Sequence, residues 1–283
     1  MLMIHLAASD IDKIGSTLVS YDHFLESTTG FPLKGIGLKA ASLTEDPRTG
    51  QRMTAARVAV VPITGELGVV QGLSEAISAI LRHLGFNIVT AVPPDVAGIA
   101  DAMDVLADIL FMADGRRFIA LCARERVYVD NSEATAEGFV TGLSLMAGGL
   151  MGKGVLVIGC GRVGSAAAAS LIRQNAEVTL IDRNAEKSRE LMKRLEPVSS
   201  APLFLADDLK AALRSHEYIV DASNSADIIH EADITDATLI AAPGMPFGVG
   251  PKARKRLGGR VLHDPLQIGV AAMAFMALKK LRR

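Results

Sequence analysis

From Arg57 onward the chain alternates short, continuous apolar runs with longer segments of helical periodicity. The runs RVAVVPIT (57–64), FNIVTAV (86–92) and ADILFMA (107–113) have the length and β-branched content of buried strands. A helix over 72–84 and another opening at Pro93–Pro94 separate them. This order predicts a mostly parallel sheet covered on both faces. RFIALCA and RVYVD read as two further strands joined by short turns. Residues 132–151 read as a long helix rich in small residues, after which the alternation restarts. GVLVIG (154–159), EVTLID (177–182), LFLA, YIVDAS and TLIAAP are strands, with helices over 165–174, up to residue 195 and over 207–214. An apolar helix over 268–283 ends in Lys279, Lys280, Arg282 and Arg283, where cations suit the negative end of a helix dipole.

Ahead of this pattern, residues 9–27 predict a helix capped by Ser9 or Asp10, with Ile11, Ile14, Leu18, Tyr21 and Leu25 on one stripe. Gly30 and Pro32 stop it, and the Gly-, Pro- and Thr-dotted stretch to about Thr54 carries no assignment. The expected fold class is α/β, with a smaller N-terminal α/β domain over 1–131 and a linking helix over 132–152. A C-terminal Rossmann dinucleotide-binding domain follows over 153–283 and includes the last helix.

Composition narrows the class. With 49% apolar and 22% charged residues, 283 residues suffice for two buried cores. A formal net charge of −1 speaks against a nucleic-acid partner. Cys122 and Cys160 are too few for a disulfide framework, and no run is long enough for a membrane span. The start, MLMIHLAASDID, lacks the basic flank of a secretory signal. A cytoplasmic protein without a membrane partner is the expectation. Homodimerisation through the apolar C-terminal helix is left open, because the same face could pack on its own chain.

The segment Val155–Ala166 places Gly159-Cys160-Gly161-Arg162-Val163-Gly164 between an apolar strand and a small-residue helix. Gly159 allows a tight turn, Gly161 lets a pyrophosphate approach the backbone, and Gly164 lets the helix pack close to the sheet. The helix N-terminus then offers amides and partial positive charge to phosphates. Asp182 ends the next strand, where a carboxylate accepts from ribose hydroxyls and repels a 2′-phosphate, so NAD is favoured over NADP. The neighbouring Arg183 could stack on adenine or meet a 2′-phosphate.

Ligands in such sheets lie outside the carboxyl ends of the strands, so the loops with Ser223-Asn224 and Pro243-Gly244 are expected beside the nicotinamide. As turns they need no ligand. Two lone Cys and six scattered His lack metal spacing, and no metal is expected. His263 and Asp264 are adjacent on a strand, point to opposite faces and read as structural.

Several segments, in order, are similar to one known family. They are Thr29-Gly30, Leu33-Lys34-Gly35-Ile36, Val61-Pro62-Ile63-Thr64, Leu84-Gly85-Phe86, Pro94-Asp95-Val96 and Ile109-Leu110-Phe111-Met112-Ala113-Asp114. Farther on come the glycine turn, Pro243-Gly244-Met245-Pro246 and Pro265-Leu266-Gln267-Ile268-Gly269. Nearly the whole chain resembles the PylD family, NAD-dependent dehydrogenases that complete pyrrolysine biosynthesis. The resemblance implies oxidation of a dipeptide-like small molecule, a lysine whose side-chain nitrogen is acylated by 3-methylornithine. Hydride leaves the carbon bearing the terminal amine, ammonia is lost, and the aldehyde condenses with the α-amine to close the pyrroline ring.

It also implies acidic anchors for the substrate's ammonium groups. Asp114 matches the family's Met-Ala-Asp and Asn131 matches a family Asn. Asp114-Gly115 is also a hairpin-turn pair, and Gly115 departs from the family's polar residue there. Asn131 could equally cap a helix. A dehydrogenase or cyclodeaminase acting on another diamine would keep the same glycine turn. So would a non-catalytic NAD-sensing module.

Overall fold

The computed structural model describes residues 11–64, 72–89 and 93–282. The chain divides into two units. The first comprises Met1–Leu25, Phe31–Gly138 and Pro265–Arg283, and the second Glu26–Gly30 and Phe139–Asp264.

The first unit carries the sheet β1 (Arg57–Pro62), β2 (Asn87–Val89), β3 (Ile109–Ala113), β4 (Phe118–Cys122) and β5 (Val127–Asp130), ordered β2-β1-β3-β4-β5. β2, β1 and β3 are parallel, as the intervening helices α4 (Leu73–Leu84) and α5 (Asp95–Asp104) require. β4 runs antiparallel to both β3 and β5, because the links 114–117 and 123–126 are too short for a crossover. In helix α1 (Ile14–Thr29) the predicted stripe is buried at Ile14, Leu18 and Leu25, and Gly30 ends the helix at φ +79°. Its proposed caps, Ser9 and Asp10, lie outside the described residues, as do 90–92 of the second predicted strand.

The unassigned stretch folds as two helices, α2 (Leu33–Ala40) and α3 (Pro47–Ala55). Asp46 caps α3 by accepting from the Thr49 amide at 2.8 Å. A Cβ on Gly37 would stand 2.7 Å from the Phe275 ring and 3.0 Å from the Ala271 carbonyl, so this glycine permits close helix packing.

Phe275 belongs to α11 (Gln267–Lys280), which joins the first unit rather than the Rossmann unit assigned to it from sequence. Eleven of its residues are buried, so the helix is apolar on all sides and needs cover all round. It packs against α2, α4, β4 and β5. Its last carbonyls are met from within the unit: Arg52 Nη2 donates to Leu278 O (2.5 Å) and Leu281 O (3.2 Å). Lys279 is turned to the Ala41 carbonyl at 2.9 Å, instead of serving its own helix end. Its apolar surface is thus covered largely within the chain.

Helix α6 (Asn131–Met146) is divided between the units after Gly138. It ends five residues before the predicted limit of 151, where Gly148 (φ +65°) and Gly149 (φ +102°) take left-handed conformations. Gly149 N donates back to Ser144 O at 2.8 Å, which closes the helix end.

The second unit is a six-stranded sheet, all parallel: β6 (Gly154–Ile158), β7 (Glu177–Ile181), β8 (Leu203–Leu205), β9 (Tyr218–Asp221), β10 (Leu239–Ala241) and β11 (Val261–Leu262). Helices α7 (Arg162–Arg173), α8 (Ala185–Leu195), α9 (Leu209–Ser215) and α10 (Pro251–Leu257) accompany it. The order β11-β10-β9-β6-β7-β8 is the doubly wound arrangement, with its reversal between β6 and β9. Val155 to Ile158 are all buried, as both faces of the central strand are covered. No described helix is long and apolar enough to cross a membrane.

Candidate functional site

The reversal point between β6 and β9 opens onto the glycine turn. Gly159 has φ +89°, and a Cβ there would stand 2.8 Å from the Ala222 carbonyl. A Cβ on Gly164 would collide with the Gly159 carbonyl, so α7 can start only where residue 164 has no side chain. Gly161 differs: it has ordinary φ (−72°) and a Cβ on it would meet nothing within 4 Å. That open face, at the N-cap of a helix with no side-chain cap, fits a pyrophosphate laid against the backbone. Arg162 and Val163 are the first residues of α7 at that end.

Cys160 is buried, and burial followed by the nearby Asp182 carboxylate pushes its thiol up to about 12. It therefore offers its backbone, not a thiolate, to the turn. Asp182 does more than sequence suggests: its Oδ2 accepts from the Cys160 amide at 2.7 Å and its Oδ1 from the Asn184 amide at 2.8 Å. The carboxylate thus pins the glycine turn. Arg183 beside it is exposed.

The loops after β9 and β10 meet each other at the same end of the sheet. Gly244 N donates to Asp221 O at 2.9 Å, and a Cβ on Gly244 would collide with Ser223 O. Ser223 is half-buried, Asn224 exposed and Pro243 half-buried, and Ser223 packs against both Gly159 and Gly244. His263 Nδ1 lies 2.7 Å from Ala242 O and its ring stacks on Phe247 at 4.0 Å, in keeping with a structural role.

In the first unit, polar groups collect at the carboxyl ends of β1, β3 and β5. Asp114 forms the hairpin turn: Oδ1 accepts from the Arg116 (2.7 Å) and Arg117 (2.6 Å) amides. Its side of the sheet also holds Asp130, whose Oδ2 lies 3.9 Å from Arg117 Nη1. Asn131 does not cap α6; Asp130 Oδ1 takes the Ser132 amide at 2.9 Å instead. Asn131 Oδ1 accepts from Thr135 Oγ1 at 3.3 Å, and Gly269 packs so closely that a Cβ would stand 2.6 Å from that hydroxyl. Asp95, at φ +59°, holds both the backbone N–H and the hydroxyl of Thr64. Those two bonds keep its carboxyl below the usual carboxylate range, so it stays ionised.

Two family models divide the chain along similar lines. Residues 10–129 match the N-terminal domain of pyrrolysine biosynthesis protein PylD, and residues 144–244 match shikimate/quinate 5-dehydrogenase. Pyrrolysine synthase of Methanosarcina acetivorans is 27% identical over 279 residues, covering 98% of this chain and 100% of that protein. That of Methanosarcina barkeri is 26% identical over 278 residues, covering 98% of each. Along nearly its whole length the chain is similar to the PylD family.

The fold is shared more widely than the PylD family. Quinate dehydrogenase from Corynebacterium glutamicum, in complex with NAD, superposes with a TM-score of 0.53 at 15% identity, over 81% of this chain and 95% of that one. Shikimate dehydrogenase from Aquifex aeolicus gives 0.53 at 16% identity, over 82% and 93%. At that identity the likeness concerns fold alone. Sequence reading missed Thr64, Asp95 and Asp130 near the carboxyl ends of the first unit's strands, Thr135 on α6, and Asp221 in the second unit. Pro94-Asp95 before a helix was the one usable signal among them.

Proposed function

We propose that this chain is an NAD-dependent dehydrogenase that oxidises lysine-linked 3-methylornithine at the carbon bearing its terminal amine. Ammonia loss and pyrroline ring closure then yield pyrrolysine. The observation that carries this reading is the end-to-end match to two pyrrolysine synthases, with Gly159, Gly161 and Gly164 in the positions a dinucleotide requires. The two free thiols fit the reducing cytoplasm.

The dinucleotide, when bound, supplies the hydride acceptor. Gly159 to Gly164 would hold its pyrophosphate, Asp182 its adenosine ribose, and Ser223, Asn224, Pro243 and Gly244 its nicotinamide half. Asp182 disfavours a 2′-phosphate, so NAD is the preferred form. In the first unit, Asp114, with Asp95 and Asp130 on the same edge, would attract the substrate's ammonium groups, and Asn131 would hydrogen-bond it. Hydride leaves only when the reacting amine is neutral with its lone pair free, so these carboxylates must anchor the other ammonium groups while the reacting one loses its proton. Ring closure follows within one bound molecule and is effectively unimolecular.

Purified protein incubated with NAD and synthetic lysine-linked 3-methylornithine should produce NADH absorbance and a product mass reduced by ammonia and two hydrogens. NADH formed only from a free amino acid such as ornithine or alanine would move the assignment to an amino-acid dehydrogenase. Nucleotide binding without any turnover would leave a sensing module.

A further inference from the structure

Asp221 is the last residue of β9 and pairs in register with Ile158, the residue before Gly159. It is 0% exposed. Its Oδ1 accepts from the Ser223 amide at 3.1 Å, while Oδ2 has no hydrogen-bond partner among the described residues. The Ser223 hydroxyl is likewise buried and unpartnered; it lies near enough to favour a charged carboxylate without reaching hydrogen-bond geometry. Three glycines close around this pair. Side chains at Gly248 and Gly244 would collide with Asp221 Oδ2 and Ser223 O, and a Cβ on Gly159 would stand 3.0 Å from Ser223 Cα. A buried carboxylate held this tightly, with one oxygen unsatisfied, is disfavoured as an anion until positive charge arrives nearby.

The position names the source of that charge. Asp221 sits at the sheet's reversal point, on the strand whose loop is assigned to the nicotinamide half of the dinucleotide, and the inference rests on that assignment. The oxidised ring carries a positive charge and the reduced ring none. We propose that Asp221 is a positioning residue for the nicotinamide half, whose buried carboxylate favours the oxidised cofactor over the reduced one. In the protein alone, burial raises the carboxyl to about 6, against the opposing pull of the Ser223 hydroxyl and amide. The cationic ring would draw it down again, so binding of NAD⁺ is coupled to ionisation at Asp221 and binding of NADH is not.

Other titratable groups stand on the segments packed around it. Asp182 holds the Cys160 amide, Arg162 opens α7, and Asp227 N donates to Phe247 O at 3.3 Å. His263 stacks on the Phe247 ring, and Arg254 lies over it at 5.5 Å. Asp182 and Arg162 are placed for the adenosine and pyrophosphate parts that both cofactor forms share, so they cancel in a comparison of the two. His263 is the group that could imitate Asp221, since a protonated imidazole also repels a cationic ring.

Equilibrium titration of the full chain with NAD⁺ and NADH, from about pH 7.5 to about pH 5, tests this. One unit charge acting over about 10 Å predicts NAD⁺ binding on the order of fivefold weaker at the lower pH, with NADH unchanged. The difference should vanish in Asp221→Asn and survive in His263→Gln. Equal pH dependence of the two nucleotides would overturn the proposal. So would a difference that persists in Asp221→Asn or disappears in His263→Gln. Should Asp221→Asn fail to fold, the native and His263→Gln curves decide it. If neither nucleotide binds at any pH, the dinucleotide assignment itself fails and takes this inference with it.

Discussion

Asn in place of Asp221 should make the protein more stable at neutral pH, against the usual outcome of altering a buried polar residue. Burial lifts the carboxyl from 3.8 to about 6, so the folded state holds its proton more tightly than the unfolded chain does. Its contribution is therefore most favourable below the unfolded value and is lost as pH rises through the folded one. That rise in the carboxyl's pKa corresponds to about 3 kcal/mol of penalty above pH 6. The side chain is wholly buried, so solvent screening does not reduce that figure. Asn removes the charge but leaves a buried amide N–H where Oδ2 stood, which costs about 1–2 kcal/mol. The net gain expected at about pH 8 is then about 1–2 kcal/mol, and a net loss is expected below about pH 4. Amide exchange in β6 and β9 reads the second unit by itself, which matters because two units need not unfold together. The quantity to follow is the difference between native and variant stability as pH falls. A difference that stays constant from about pH 8 to about pH 4.5 would show that the carboxyl is not perturbed, and the reasoning would fail.

Two further substitutions separate local structure from ligand contact. Asp182→Ala deprives the buried Cys160 amide of its acceptor, at a cost of about 1–3 kcal/mol, besides removing the ribose contact, so NAD affinity should fall more than in Asp182→Asn, which keeps an acceptor; equal affinities by calorimetry would show that the turn holds without it. Asp114→Asn retains the oxygen that takes the Arg116 and Arg117 amides, so thermal stability should hold while turnover drops about tenfold or more with NAD affinity unchanged; full turnover in that variant would confine Asp114 to the turn.

The parts of the fold that sequence revealed are those set by local pattern. β1, β3 and β6 are buried on both faces and read as unbroken apolar runs, and the glycine turn sits where a strand gives way to a small-residue helix. Helix α2 was hidden because Gly35 and Gly37 spoil its periodicity, and the reason for Gly37 lies more than two hundred residues away, at Ala271 and Phe275. Helix α3 was legible in principle, since Asp46-Pro47 is a cap followed by a first-turn proline. The partner of α11 was not legible at all. An all-apolar helix announces that it will be covered, but not by what.

Asp221 shows the same limit at the scale of one atom. In YIVDAS it looks like the polar end of a strand, no different from Asp182 in EVTLID. The two carboxylates part company through their neighbours: Asp182 is half-buried and serves two amides, while Asp221 is wholly buried and serves one. What seals Asp221 is Gly248, on a loop that returns from β10, together with Gly159 and Gly244. Glycines of the phosphate turn are commonly read by what they admit. Here two of the three glycines around Asp221 lie outside that turn; Gly248 lies against the carboxylate itself, while Gly159 and Gly244 let the backbone of residues 221–223 pack closely. A larger residue at 248 would open that enclosure, relieve the carboxyl and erase any coupling to cofactor charge. The glycine, not the acid alone, is what turns a strand-end aspartate into a group that can respond to the oxidation state of a ring beside it.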